Sequence, residues 1–468
     1  MSPESSVPRS GLPPVSNEQT GKSPALVPFR DAFKYWLRLG FINFGGPAGQ
    51  IAIMHDELVD KKRWISNGRF LHALNFCTLL PGPEAQQLAI YIGWLLNGSL
   101  GGIVAGIFFV LPAFFLILGL SWTFVAHGDV TWVAAIFYGL KAAVIAIVAA
   151  AVIRVGSKAL NNSPMVAIAV ASFVAIFFVK VPFPLVVLAA AATGLVGSRL
   201  WPQRFAGSQA HAGVDEEAVL GDEEAARRQR PSLVRSLYVL LLGGTIWLGP
   251  LLVVWVLRGP GDTLTREAVF FSQAALVTFG GAYAVLAYIN QAAVQQFGWL
   301  QPGEMAVGLG LAESTPGPLI MVTQFVGFVA AYRFPGGMHP LTAATLGALV
   351  TVWATFAPCF LWIFLGAPYI ERLRGKASLA AALSAITAAV VGVILNLAVT
   401  FAVFALFMSV ERGSFLGMTY PSPDLASIDL FAAVLSTVAF VGMFRYKWNV
   451  LWIVSGSALA GLAWQTLF

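Results

Sequence analysis

The chain reads as an all-α polytopic membrane protein made of two inverted-topology repeats with broken or re-entrant helices, joined by an extra connecting transmembrane helix. Three observations predict this class. Of 468 residues, 58% are hydrophobic and 11% charged, too apolar for a soluble core of ordinary composition. Landmarks of the first half return in the second at one constant spacing of 235 positions: Phe44-Gly45-Gly46 as Phe279-Gly280-Gly281, Trp64 as Trp299, and Pro81-Gly82-Pro83 as Pro316-Gly317-Pro318. The repeated residues are glycines and prolines inside apolar segments, where an uninterrupted helix has little use for them.

In chain order, residues 1–28 are rich in Ser, Pro and Gly and lack the apolar core of a signal peptide, which predicts a disordered tail. Residues 29–200 form the first repeat. Its segments 33–54 and 70–96 carry the Gly and Pro interruptions, and the apolar runs at 100–125, 130–153, 163–179 and 182–198 predict spans near the roughly 20 residues that cross the hydrocarbon layer. Residues 201–233 are a polar cytoplasmic linker, first acidic from Asp215 to Glu224 and then basic at Arg227, Arg228 and Arg230. Residues 234–262 hold the connecting helix, built on the apolar run 236–257. Residues 263–468 form the second repeat, with interrupted segments 268–292 and 303–331 and spans at 341–366, 378–408, 426–444 and 448–467. The abundance of Trp, 14 in all, suits side chains that settle at a membrane interface.

One odd helix between halves that each cross an even number of times turns the second half upside down. Lysine and arginine agree. The loop from Asp56 to Arg69 contains Lys61, Lys62, Arg63 and Arg69, whereas its counterpart from Gln291 to Gly303 contains neither Lys nor Arg, as the positive-inside rule expects if only the first faces the cytoplasm. The rule also favours hairpins over full crossings for 33–54 and 70–96. Only then do the basic loop, Arg154, Lys158, Arg235, Arg372, Arg374, Lys376, Arg445 and Lys447 all stay inside. The predicted location is the bacterial inner membrane, multi-pass, with a cytoplasmic N-terminus.

Matched interrupted segments in two halves are the sequence mark of a transporter's binding site. Backbone that leaves the helix at membrane depth must be buried in protein or line a cavity. Gly45, Gly46, Gly82, Gly280, Gly281 and Gly317 allow close approach, and Pro47, Pro83 and Pro318 suit the first turn of a new helix. Each new helix then points its N-terminus inward, and four such termini favour an anion between them. Pro47 aside, these turn residues, with Asn43 and its counterpart Thr278 and with Pro81 and Pro316, are the expected substrate contacts.

The Phe44-Gly45-Gly46-Pro47 turn, the basic loop ending at Trp64, the run Leu80-Pro81-Gly82-Pro83-Glu84 and the second-half Ser314-Thr315-Pro316-Gly317-Pro318 together resemble the chromate ion transporter family in its long, two-domain form. The resemblance spans nearly the whole chain. It implies export of chromate from the bacterial cytoplasm, with sulfate as a close structural analogue and proton-linked antiport. Ala282 stands where the first half has Pro47, so the second-half turn departs from the pattern.

Side chains around the turns differ between halves: Asn43 pairs with Thr278, Thr78 with Glu313, Glu84 with Leu319, and Gln86 with Met321. Glu84 and Glu313 are the candidate proton carriers, since a carboxyl near the midplane is expensive to keep charged; a helix-capping role is the alternative. Lys141 lies within the apolar run after Thr131, and Thr387 is its counterpart. An amine at that depth usually faces a cavity or a partner, so an oxyanion contact and snorkelling to an interface both stay open.

Other classes are less well served. Cys77 and Cys359 have Ala312 and Ala113 as counterparts, the five histidines show no ligand spacing, and no Walker-type phosphate loop is present; no metal, cofactor or nucleic-acid partner is expected. An intramembrane enzyme using Glu84, Glu313 and His72 lacks a recognisable nucleophile and base pair. A sulfate or related oxyanion importer and an anion channel remain as alternatives to chromate export. The expected partners are the lipid bilayer and the anion, and assembly into a homo-oligomer is left open.

Overall fold

A computed structural model describes residues 27–128, 130–205, 232–279, 282–369, 377–415 and 418–467. The tail through residue 26, most of the linker, Gly280, Gly281 and the basic positions Arg372, Arg374 and Lys376 lie outside the described residues. Among the described residues seven helices are long and apolar enough to cross a membrane, and the chain is a multi-pass membrane protein.

The interrupted segments are helical hairpins. In the first, α1 (Phe29–Ile42) ends at Asn43, the chain turns through Gly45 at φ 92°, and α2 (Gly46–His55) leaves the turn and runs into a π-helical turn, Asp56–Lys61. The second hairpin pairs α3 (Asn67–Cys77), capped by the Ser66 hydroxyl at 3.3 Å from Arg69 N, with the first arm of α4 (Glu84–His127). That arm ends at Asn97 and Gly98, whose non-helical dihedrals fold α4 back on itself. The feet of both hairpins stand together. Asn97 Nδ2 donates to the Val27 carbonyl at 2.9 Å, and Trp64 and Lys62 lie against the Tyr35 ring of α1.

The rest of the first half is α5 (Thr131–Ala159), α6 (Ser163–Phe177), α7 (Phe183–Leu200) and the short α8 (Pro202–Phe205). The connecting helix α9 (Leu233–Arg258) buries little beyond Trp247 and Leu251. It leads to α10 (Thr263–Leu276), whose N-cap Asp262 bonds Leu264 N at 3.0 Å. The second half then repeats the first, element by element: α11 (Ala282–Gln291) with a π-helical turn at Ala292–Gln296, α12 (Glu304–Ser314), a 3₁₀ turn at Leu319–Met321 leading into α13 (Val322–Arg333), then α14 (Pro340–Gly366) and α15 (Ala377–Leu406).

The spacing between the halves grows along the chain as loops are inserted. It is 235 up to the end of α13, then 246 from α14, so that Cys359 matches Ala113 and Thr387 matches Lys141. A final step comes from an antiparallel β-hairpin, β1 (Val410–Phe415) paired with β2 (Met418–Pro423), which the sequence reading did not anticipate. After it, α16 (Leu430–Arg445) and α17 (Val450–Leu467) stand where the first half has α6 and α7.

The halves interlock through these last pairs. Helix α5 packs against α16 and α17 of the other half, while α15 packs against α6 and α7. Close approach is achieved with small residues: a Cβ on Gly139 of α5 would strike the Ser457 carbonyl of α17. One core cluster consequently runs across both halves, while a second gathers the first-half hairpins with Cys359, Ile363 and Ala367.

Candidate functional site

The two PGP turns are bonded crosswise to the ends of α1 and α10. Gly82 N donates to the Thr278 carbonyl at 2.9 Å, and Gly317 N donates to the Asn43 carbonyl at 2.8 Å. Gly82 and Gly317 are counterparts, as are Asn43 and Thr278, so the PGP turn of each half bonds the residue just before the FGG motif of the other. Both glycines hold a positive φ, 124° and 119°, a region that glycine alone enters without strain.

Four helix starts converge here. First-turn residues Pro47 of α2, Pro83, Glu84 and Ala85 at α4, Ala282 of α11, and Pro318, Leu319 and Ile320 before α13 line one small cavity with Gln50. Pro47 with Ala282, Pro83 with Pro318, Glu84 with Leu319 and Ala85 with Ile320 are counterparts. The unpaired N–H groups and positive dipole ends of these starts favour a negative ligand. The cavity measures about 10 Å³, room for roughly one water. A tetrahedral oxyanion is much larger, so the turns are closed in this conformation. A larger concavity lies on the outer face of α6, lined by aliphatic side chains such as Val166, Val170 and Val174; it has none of this chemistry.

Side-chain chemistry at the turns is one-sided. Asn43 is fully buried with neither side-chain polar atom bonded, a costly state unless a ligand or water takes it up. Thr278, its counterpart, turns its hydroxyl back to the Ala274 carbonyl at 2.6 Å. Glu313 accepts a hydrogen bond from the Tyr283 hydroxyl at 2.6 Å. Glu84 opens α4 and faces the cavity. The Pro81 carbonyl is taken by Gln87 Nε2 at 2.7 Å.

Lys141 is not brought to this cavity. Its ammonium stands beside Gly303 at the start of α12, 3.9 Å from where a Cβ on that glycine would lie, whereas Glu313 and the turn are at the other end of α12. Helix α12 has 11 residues, so its ends are about 15 Å apart. Arg333 closes the same region with a two-pronged ion pair to Glu304, both contacts at 2.7 Å.

A model of the family described as Chromate transporter matches residues 30–195 and 266–462, leaving out the linker and α9. The chain belongs to the chromate transporter family. A chromate transport protein of Pseudomonas aeruginosa is 32% identical over 454 residues, covering 96% of this chain and 95% of that one. A chromate transport protein of Cupriavidus metallidurans is 29% identical over 433 residues, 92% of each chain. A probable chromate transport protein of Synechococcus elongatus is 29% identical over 363 residues, covering 77% of this chain and 81% of that one. No solved structure matches.

Several residues of this chromate transporter family member escaped the sequence reading. Gln50, fully buried on α2, reaches across to donate to the Gly317 carbonyl at 2.5 Å; its only signal was a glutamine four residues after the FGG turn. Tyr283 follows Ala282 in a run with no polar pattern. Arg154 and Lys158, one turn apart on the exposed face of α5, were read only as topology markers. Arg154 lies within electrostatic reach of Glu313 and Tyr283, and Lys158 within reach of Glu84. Together they put positive charge on the exposed face of α5, within electrostatic reach of the turn carboxyls.

Proposed function

We propose that this protein is a secondary transporter that exports chromate, a tetrahedral divalent oxyanion, across the bacterial inner membrane and so confers chromate resistance. The observation that carries the reading is the closed meeting of four helix starts, cross-bonded between halves, around one small cavity. An anion site formed by helix N-termini between two halves is what alternating access requires: the halves rock, and the same site faces each side in turn. The relatives named as chromate transport proteins supply the identity of the anion.

The two halves are read as inverted repeats with their hairpins re-entrant from opposite faces. In support, the feet of the first-half hairpins gather near Val27 and Asn97, while the corresponding Gly303 region sits beside Lys141, toward the opposite end of α5 from Arg154 and Lys158. The basic loop Lys61 to Arg69 then faces the cytoplasm with the N-terminus.

Direction follows from charge. A dianion leaving a cell that is negative inside gains about 4.6 kcal/mol per 100 mV, so export needs no proton gradient, whereas uptake must climb the same slope. Uptake of labelled chromate and sulfate into inverted vesicles, with and without a pH gradient, tests the reading. Saturable chromate flux driven by potential and showing counter-transport is expected. Higher chromate accumulation in expressing cells than in controls would reverse the direction and favour a sulfate-type importer.

A further inference from the structure

Helix α10 carries a carboxyl that neither the turns nor the ion pairs use. Glu267 is fully buried, and both of its carboxyl oxygens lack a hydrogen-bond partner. A bare carboxylate so placed costs several kcal/mol unless it is paired or protonated. The duplication shows that the fold does not need it. The counterpart of Glu267 is Ala32 of α1, equally buried in an otherwise corresponding hairpin.

The surroundings point to a path. The Glu267 carboxyl abuts Gly347 of α14, where a Cβ would come within 3.0 Å of Oε2. From Gly347 the same face of α14 continues at four-residue steps through Thr351, Thr355 and Cys359, all buried. Thr351 Oγ1 has no partner, Thr355 bonds the Thr351 carbonyl at 2.8 Å, and Cys359 Sγ lies where a Cβ on Gly82 would meet it at 3.0 Å. One face of one helix therefore joins the buried acid to the Gly82 turn.

Charged and ionisable groups around it are few. Asp262, bonded to Arg258 of α9 at 2.9 Å, acts on Glu267 through its charge. Arg266 on α10 is exposed. Helix α13 brings Tyr332 and Arg333, the latter held by Glu304; α11 brings Tyr283 and Tyr288; His339 precedes α14. Among the described residues none of these bonds the Glu267 carboxyl.

We propose that Glu267 is a proton-binding site of the transport cycle, separate from the anion site and joined to it by the Gly347, Thr351, Thr355 and Cys359 face of α14. Glu267 keeps its proton while α10 is closed on α14 and releases it to water when the two separate; it takes one back before they close again. The proposal rests on the reading of the chain as an anion carrier.

Two measurements test it on the full chain in lipid. Infrared difference spectra of the wild type should keep a protonated-carboxyl carbonyl band at pH values where exposed carboxyls are ionised, and Glu267→Gln should lose that band. In proteoliposomes, Glu267→Gln should lose the component of chromate flux that a pH gradient drives while keeping chromate exchange, and Glu267→Ala, which copies the residue at position 32, should do the same. Wild-type dependence on the pH gradient in either folded variant overturns the proposal, as does absence of the band in the wild type. If the wild type carries no chromate, the transport reading fails alone; the band and proton movement during sulfate flux still decide Glu267.

Discussion

The backbone N–H of Gly317 donates to the carbonyl of Asn43 across 2.8 Å, tying the PGP turn of the second half to the residue just before the FGG motif of the first. Any movement that admits an anion must stretch or break this bond or its counterpart between Gly82 and Thr278. The turns are thus both the proposed binding surface and the proposed gate.

Replacing either glycine tests that dual role. Gly82→Leu and Gly317→Leu each force a side chain into a positive φ, at a cost of about 1–3 kcal/mol, and drive a Cβ onto Cys359 or Ala113. Both variants should insert and accumulate yet lose nearly all chromate flux. Near-normal flux at equal membrane abundance would remove the turns from the transport path.

Gln50 offers a finer probe, since it bonds the Gly317 carbonyl without belonging to the turn. Gln50→Leu removes a buried hydrogen bond and strands the acceptor, a loss of about 1–3 kcal/mol. Thermal stability in detergent should fall, and flux should fall with it. A variant with unaltered melting and flux would mean that the bond contributes nothing.

Topology is open to labelling. Single cysteines at Ser66, beyond the π-helical turn Asp56–Lys61, and at Gln296, the last residue of its counterpart turn, should react from opposite sides of the membrane. A cysteine at Asn97 should react from the same side as Ser66, because the feet of the hairpins stand together. Reaction of Ser66 and Gln296 from one side would dismiss the inverted arrangement.

The carboxyls at the turns are separable by isosteric change. If Glu84 or Glu313 exchanges protons during the cycle, its conversion to Gln should flatten the pH dependence of flux and spare potential-driven exchange. Tyr283→Phe removes the 2.6 Å bond to Glu313 and should shift the pH profile without abolishing flux. An unchanged profile in both glutamate variants would leave Glu84 as a helix-start residue and Glu313 as the hydrogen-bond partner of Tyr283.

Positive charge on the exposed face of α5 should act on capture. Neutralising Arg154 and Lys158 together should raise the half-saturating chromate concentration roughly ten-fold at low salt, with the difference shrinking as salt screens it. Lys141→Met, remote from the cavity, should change that concentration much less. The reverse order would restore Lys141 as the anion contact.

Much of this arrangement was legible in the sequence because duplication marks the turns twice. Glycines and prolines announce backbone geometry directly, so the turn at Gly45, the two PGP turns and the apolar runs fall near their observed positions. Contacts between halves were not legible. Gln50 meets Gly317 across 267 positions, and a pairing of that range follows from packing, on which local pattern is silent. Arg154 shows the same limit: its charge was counted toward a side of the membrane, but its reach to Glu313 depends on how α5 lies against α12. Lys141 illustrates the converse, where depth in an apolar run was visible and direction was not. The β-hairpin at Val410–Phe415 and Met418–Pro423 interrupts only one half, and no repeat signal exists for an unrepeated element.

The brace from Gln50 has a mechanical corollary. Val285 occupies its counterpart position and has no amide to extend toward the Gly82 turn. The seam between Gly317 and Asn43 is therefore stitched twice across the halves, and the seam between Gly82 and Thr278 once. If the halves rock as proposed, this latch is lopsided: the Gly82 seam is expected to part first, making one face of the membrane easier to open toward than the other.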